Sequence, residues 1–265
     1  MMPTSKRKPT LSIGILTKNE ARLIGRCIES ALFADEVLVL DSGSTDSTLS
    51  IARQLGAQIY TSVDWQGFAV QRNRLLEHVT SDYIFFLDAD EIITPQLQSE
   101  ITTIVQSGAS GVWKVRWTVV AYGHVLKHFK SNASMERLFP TALIDHYQGV
   151  VHEEAVINSN KPINRQVLQY RLLHYSRQSI RASLEKLTQY AMLGAVKRHA
   201  AGKKGGILRG ALSALNSFIK TYFFGKAFLD GGPGFLYCLF VALESFFRYV
   251  ALKYDHTHLT VKIDR

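Results

Sequence analysis

The chain predicts an α/β fold built on a mainly parallel sheet and followed by basic amphipathic helices, and three observations carry that expectation. Short apolar runs alternate with helical patterns through the first hundred residues. The second and fourth of these runs end abruptly in carboxylates, Asp41 and then Asp88 with Asp90 and Glu91. Between Asn160 and Lys226, thirteen Lys or Arg stand against one acid, Glu185, a local charge of +12.

Length and composition set the outer bounds. With 265 residues, 46% of them hydrophobic and 20% charged, the chain has enough apolar material for one sizeable core and an appendage. The formal net charge of +9 points to an anionic partner, and its concentration in one segment leaves the remainder slightly acidic. Two cysteines, Cys27 and Cys238, are far apart and match no metal spacing, which suits packing roles in a reducing compartment. The basic N-terminal residues precede no apolar core longer than a strand, so no signal peptide is expected and a cytoplasmic location is.

Residues 11–17 read as the first strand, and Leu23, Ile24, Cys27, Ile28, Ala31 and Leu32 recur at helical spacing after it. Residues 36–40 form a second strand ending at Asp41. The small-residue turn Ser42-Gly43-Ser44-Thr45-Asp46 then offers a cap for a helix that stops at Gly56. A third strand over 57–61 and a helix over 67–78, carrying Arg72, Asn73 and Arg74, lead to the most apolar run of the series, 83–87. Aromatic and β-branched residues buried on both faces suit a central parallel strand. Thr94-Pro95 opens the next helix, with proline where a missing N–H costs nothing, and Gly108 closes it. Residues 112–120 and 125–129 read as strands around Tyr122-Gly123-His124, so the second half extends the sheet and frames an acceptor site.

From Gln178 to His199 the pattern is helical and basic, and the linker 201–206 leads into two apolar segments. In the first, Ile207, Leu208, Ala211, Leu212, Leu215, Phe218, Ile219, Tyr222 and Phe223 share one helical face, opposite Arg209, Ser213, Asn216 and Lys220. The second follows Asp230-Gly231-Gly232-Pro233-Gly234. Arg209 and Lys220 in one, and Glu244 and Arg248 in the other, interrupt the run that a spanning helix needs. Packed core helices and helices lying on a membrane are both open on periodicity alone; the clustered positive charge favours an anionic membrane surface.

Ligands of an open α/β sheet bind outside the carboxyl ends of its strands, so Thr17, Glu20, Asp41, Asp88 and Asp90 converge on one edge. With Ala89 pointing away, strand alternation would put Asp88 and Asp90 on one side, where paired carboxylates hold Mg²⁺ or Mn²⁺ against substrate phosphates. Neither a G-x-G-x-x-G nor a G-x-x-x-x-G-K-[ST] loop follows the first strand. Phosphate charge is then left to a metal and to side chains such as Arg72.

In order, Ser12-Ile13-Gly14-Ile15-Leu16-Thr17-Lys18-Asn19-Glu20, Val39-Leu40-Asp41-Ser42-Gly43-Ser44-Thr45-Asp46, Arg72-Asn73 and Phe86-Leu87-Asp88-Ala89-Asp90-Glu91 resemble the motifs of the family 2 glycosyltransferases. The resemblance covers about the first hundred residues and implies a GT-A fold with a mixed sheet; with the change of pattern along the chain, residues 1–177 are expected to be the catalytic domain (1–108 binding the nucleotide-sugar, 109–177 the acceptor) and 178–265 a basic helical membrane-associating region. The resemblance also implies a nucleotide-sugar donor, expected to be a UDP-sugar, a divalent cation (Mg²⁺ or Mn²⁺) and inversion at the anomeric carbon. By position, Thr17, Glu20 and Asp41 would contact the nucleoside, Asp88 the ribose or sugar, and Asp90 the metal. Gly149-Val150-Val151-His152-Glu153 resembles a segment of a subgroup that builds lipopolysaccharide cores, in which Glu153 would be the catalytic base. Arg137-Leu138-Phe139 also resembles that subgroup, which often has a basic residue where this chain has Pro140; Asp230-Gly231-Gly232-Pro233-Gly234-Phe235 matches its C-terminal part more loosely. The expectation is a hexosyltransferase, with glucose from UDP-glucose as the first candidate, acting on a lipid-linked saccharide at the inner face of the cytoplasmic membrane. A nucleotidyltransferase of the same fold class would carry a Gly-rich basic loop after the first strand, where Thr17-Lys18-Asn19-Glu20 stands instead. A nucleic-acid-binding role for the basic third lacks a reading motif, and its large apolar faces suit lipid better.

Overall fold

The computed structural model describes residues 7–131, 133–149, 153–159 and 162–255. The chain divides into two compact units, Met1–Trp117 with Asn132–His174, and Thr118–Ser131 with Tyr175–Arg265.

In the first unit the β-α alternation of the sequence becomes β1 (Leu11–Thr17), α1 (Ile24–Glu29), β2 (Glu36–Asp41), α2 (Thr48–Gln54), β3 (Gln58–Thr61), α3 (Phe68–Leu76) and β4 (Tyr83–Asp88). β1 pairs in parallel with β2 and β4, and β2 in parallel with β3. Period-2 geometry sorts the side chains between two cores. Ile13, Ile15, Val39, Phe85 and Leu87 pack with Ile24, Cys27 and Ile28 on one face; Leu38, Leu40, Ile84 and Phe86 pack with Leu75 on the other. A Cβ at Gly14 would stand 2.7 Å from Leu75 Cδ2, so the missing side chain lets α3 lie close to β1. α1 is shorter than its apolar spacing suggests: it ends at Glu29, and Leu32 lies on the surface.

After β5 (Glu91–Ile92), α4 (Pro95–Ser107) begins and ends where its residues dictate. Thr94 Oγ1 accepts the Leu97 N–H at 3.3 Å, Pro95 occupies the first turn, and Gly108 closes the helix at φ +66°. Beyond it come β6 (Val112–Ala121), β7 (His124–Val125), β8 (Ser134–Pro140), β9 (Ile144–Gln148), β10 (Glu154–Ile157) and β11 (Arg165–Arg177). β8 joins β4 antiparallel and β6 joins β8 antiparallel, so the sheet is mixed, in the order β3-β2-β1-β4-β8-β6-β11-β5. β9 and β10 form a separate two-stranded ribbon.

The second unit takes up the ends of β6 and β11, the β6–β7 hairpin, and three helices, α5 (Ile180–Ala200), α6 (Ile207–Ile219) and α7 (Gly231–Tyr254). Asp230, the residue just before α7, whose first turn is glycine-rich, accepts the backbone N–H groups of His128 at 3.0 Å and Phe129 at 2.8 Å, tying the segment after the hairpin to the helices. Two glycines permit close helix contact: a Cβ at Gly205 would stand 2.5 Å from the Tyr249 carbonyl, and one at Gly210 would stand 2.9 Å from that of Phe246. The charges expected to interrupt α7 are absorbed by its neighbours. Arg177 forms a buried ion pair with Glu244, and Arg248 lies against Gly194 of α5. By length and composition alone, Ala227–Tyr254 is long and apolar enough to cross a membrane, as core helices of soluble proteins also are. Of its most apolar stretch, 39% is buried within the protein. Cys27 and Cys238 are free thiols buried in their respective cores.

Candidate active site

The loops after β1 and β2 are knitted together by their own polar residues. Asn19, held at φ +55°, accepts the Thr45 N–H at 2.8 Å, while its backbone N–H donates to Ser44 Oγ at 2.8 Å. Glu20 N–H donates to Thr48 Oγ1 at 2.8 Å and Ala21 N–H to Asp46 at 3.2 Å. Asp41 is buried and accepts from the N–H groups of Gly43 and Ser44 at 2.9 Å each and from Ser44 Oγ at 2.5 Å. Thr17 Oγ1, at the end of β1, is a buried hydroxyl with no hydrogen-bond partner. The structure thus brings Thr17, Glu20 and Asp41 to one sheet edge, the edge where the family resemblance implies nucleoside contacts.

At the end of β4 the carboxylates are met by two arginines from distant parts of the chain. Arg137, on β8 and fully buried, places Nη2 2.6 Å from Asp88 Oδ2 and 3.1 Å from Glu91 Oε1. Arg72, on α3, donates to Asp88 Oδ1 through Nη2 at 3.3 Å and to Glu153 Oε1 through Nε at 3.3 Å. Glu91 also accepts from Trp117 Nε1 at 2.5 Å and from the Asp88 N–H at 2.9 Å. Burial opposes ionisation of Asp88, but Arg137 and then Arg72 outweigh it and hold this carboxyl well below its ordinary range. For Glu91 burial prevails over Arg137 and pushes the carboxyl up.

The expectation that Asp88 and Asp90 project from one side of an extended strand does not hold. Extended backbone ends at Asp88, Ala89 and Asp90 form a turn, and strand alternation stops with it. Asp88 therefore goes to the arginines, while Asp90 Oδ2 lies 3.4 Å from Nε2 of His174 on β11. No group of three His, Cys, Asp or Glu side chains that could enclose a cation occurs among the described residues. The donor set, one carboxylate with an imidazole beside it, fits a hard divalent ion whose shell is completed by substrate oxygens and water.

Glu153 immediately precedes β10 and lines a cleft of about 440 Å³ with Arg72, Lys114, Glu136, Tyr147 and Arg165. Arg72 is held over the rings of Phe86 and Tyr147, 4.9 Å and 5.7 Å from their centroids, and its Nη1 is buried without a hydrogen-bond partner. Asn73 fixes the β9 backbone on α3, accepting the Tyr147 N–H at 2.6 Å and donating to its carbonyl at 2.9 Å. His152 lies outside the described residues.

Two residues of this site escape a reading of strand ends. Arg137 enters from the middle of β8, and only its place in Arg137-Leu138-Phe139 marks it; His174 sits within a thirteen-residue strand and carries no local signal.

The profile of the family described as "Glycosyl transferase family 2" matches residues 12–172. An uncharacterized glycosyltransferase of Rickettsia bellii is 29% identical over 259 residues, covering 92% of this chain and 86% of its own. The lipopolysaccharide core biosynthesis glycosyltransferase LpsC of Rhizobium meliloti is 25% identical over 246 residues, covering 90% of each chain. Among solved structures, glucosyl-3-phosphoglycerate synthase from Mycobacterium tuberculosis, in complex with Mn²⁺, UDP and glucosyl-3-phosphoglycerate, aligns with a TM-score of 0.40 at 22% identity, over 51% of this chain and 58% of that one.

Proposed function

Because the chain belongs to glycosyltransferase family 2, whose profile spans both the nucleotide-side loops and the Glu153 cleft, we propose that it transfers a hexose with inversion from a UDP-sugar, UDP-glucose first, to a lipopolysaccharide inner-core sugar or another lipid-linked saccharide. The observation that carries this reading is the run Glu153–Arg72–Asp88–Arg137, in which one guanidinium group touches both the proposed base and the acid at the donor strand end. The likeness to LpsC over nearly the whole chain supports an acceptor of lipopolysaccharide type. Such an acceptor places the reaction at the inner face of the cytoplasmic membrane.

In this mechanism an acceptor hydroxyl oxygen forms a bond to the anomeric carbon while the bond from that carbon to the diphosphate oxygen breaks. Glu153 takes the hydroxyl proton, and UDP departs with the bonding electrons. Arg72 orients Glu153 through Nε, and its buried Nη1 faces no acceptor within the protein. Thr17, Glu20 and Asp41 form the nucleoside edge, and Arg137 keeps Asp88 ionised and fixed. Mg²⁺ or Mn²⁺ held at Asp90, beside His174, would supply the charge that stabilises the leaving diphosphate.

Release of UDP by the purified protein tests this, with Mg²⁺ or Mn²⁺, a panel of UDP-sugars, and truncated lipopolysaccharide present or absent. Acceptor-dependent turnover with one sugar is expected. Glu153→Gln should lower kcat by roughly 10²- to 10⁴-fold while still binding UDP, and Asp90→Ala should abolish metal-dependent turnover. Unchanged kcat in Glu153→Gln would assign the base elsewhere.

A further inference from the structure

The helix α6 is packed the wrong way round for a soluble protein. Over most of its length the side it turns to α7 is made of small residues: Gly210 lies against the Phe246 backbone, and the Ser213 and Ser245 hydroxyls are 2.6 Å apart; near its end Phe218 packs against Phe235. Its large apolar residues face outward instead. Leu208, Leu212 and Leu215 are 73%, 59% and 57% exposed, Ile219 follows on the same row, and Phe223, in the π-helical turn Lys220–Phe224 just after α6, is exposed as well. Phe224, Phe228 and Leu229 extend the apolar surface past the end of the helix. A row of this size left in water is a binding surface.

Charge identifies what covers it. Arg209 and Lys220 border the row, and Lys203, Lys204 and Lys226 are exposed near its two ends. No acid occurs between Glu185 and Asp230. Two copies meeting through this face would bring their basic margins together, and a nucleic acid would leave the apolar row in water. An apolar band with a cationic border fits a bilayer carrying anionic headgroups.

We infer that α6 docks on an anionic phospholipid bilayer, inserting Leu208, Leu212, Leu215, Ile219 and Phe223 among the acyl chains with Arg209 and Lys220 at the headgroups. Each large apolar side chain taken out of water contributes roughly tenfold or more to partitioning, and each basic residue near an anionic surface about fivefold. Held on the membrane, the enzyme meets a lipid-linked acceptor at a raised effective concentration. This lipid face stands on the geometry of the helices and needs no assumption about donor or acceptor.

Co-sedimentation of the full chain with phosphatidylcholine vesicles, with and without phosphatidylglycerol, tests it. Binding is expected to require phosphatidylglycerol and to weaken with salt. It should fall roughly 100-fold in Leu212→Glu/Leu215→Glu and about 25-fold in Arg209→Gln/Lys220→Gln. Val63→Glu, which changes an exposed apolar residue of the first unit, should bind as the wild type does. Unchanged melting temperatures should accompany these losses, because every altered side chain is on the surface. In a second measurement, a Leu215→Trp variant should show blue-shifted emission with phosphatidylglycerol vesicles. Failure of the wild type to bind, binding by Leu212→Glu/Leu215→Glu at full strength, or an unshifted tryptophan would overturn the inference. So would a wild-type dimer in light scattering that Leu212→Glu/Leu215→Glu dissolves, since the face would then belong to a second copy. No sugar transfer is read in any of these arms, so their failure and that of the transferase reading are separable.

Discussion

Asp41 and Asp88 end two parallel strands of one sheet, yet they are held in opposite ways. Asp41 is satisfied locally, by N–H groups and a hydroxyl two and three residues ahead of it. Asp88 is satisfied by Arg72 and Arg137, 16 and 49 residues away in sequence. A turn such as that after Asp41 forms with the strand and positions backbone as much as charge. The arginine clamp exists only once α3 and β8 have docked, so it couples the end of β4 to the second half of the sheet. At Asp41 the sequence encodes a loop, whereas at Asp88 it encodes an encounter between remote segments.

The largest expected effect comes from breaking the remote arrangement. Arg137→Met removes a fully buried cation that touches both Asp88 and Glu91, leaving two carboxylates without their principal partner. Breaking one side of a buried pair costs about 3–5 kcal/mol, and urea denaturation should show a loss of that order, with transfer activity lost as well. Arg137→Lys keeps the charge but cannot span two carboxylates with one planar fork, and should recover only part of the loss. An Arg137→Met variant as stable as the wild type would mean that the clamp is not what holds these strand ends together.

A smaller effect is expected at the local arrangement. Asp41→Ala leaves the Gly43 and Ser44 N–H groups without their acceptor, a cost of about 1–3 kcal/mol, and frees a loop that is still tied to Asn19 through Thr45. UDP affinity, read by calorimetry, should fall more than stability does, because the loop shapes the edge proposed to hold the nucleoside while contributing little core. Loss of stability as large as that in Arg137→Met would erase the distinction between the two strand ends.

The same contrast explains how much was legible beforehand. The strands over 11–17, 36–41 and 83–88 and the capped helix from Thr94 to Gly108 were legible because burial, alternation and capping are local patterns. Thr17, Glu20 and Asp41 could be placed at one edge from topology alone. The turn at Ala89-Asp90 was not legible, because an acid after a strand looks the same whether the backbone continues or bends. Arg137 and His174 were missed as site residues for a related reason: each lies within a strand far from the acid it faces. In α6 the periodicity showed that one side is apolar, but not that Gly210 and Ser213 would take the packed side and leave the leucines outside. Which face of an amphipathic helix is covered depends on its neighbour's shape, and the helix's own sequence does not contain that.

The smallest effect, and the one that separates the two acids of the clamp, is a change in how stability follows pH. Asp88 has its folded value depressed below the ordinary 3.8, so its contribution is present above that pH and is lost as pH falls towards the folded value. Glu91 has its folded value raised above the ordinary 4.5. Its contribution is therefore present below that pH and is lost as pH rises through the folded value. Stability should rise with pH below about 3.8 on account of Asp88 and fall with pH above 4.5 on account of Glu91. Urea midpoints measured across this range should show Asp88→Asn flattening the acid limb and Glu91→Gln flattening the descent above 4.5. If Glu91→Gln instead leaves the descent unchanged, burial is not what governs Glu91, and the Arg137 and Trp117 contacts hold it ionised throughout, which would make the two acids equivalent members of one clamp.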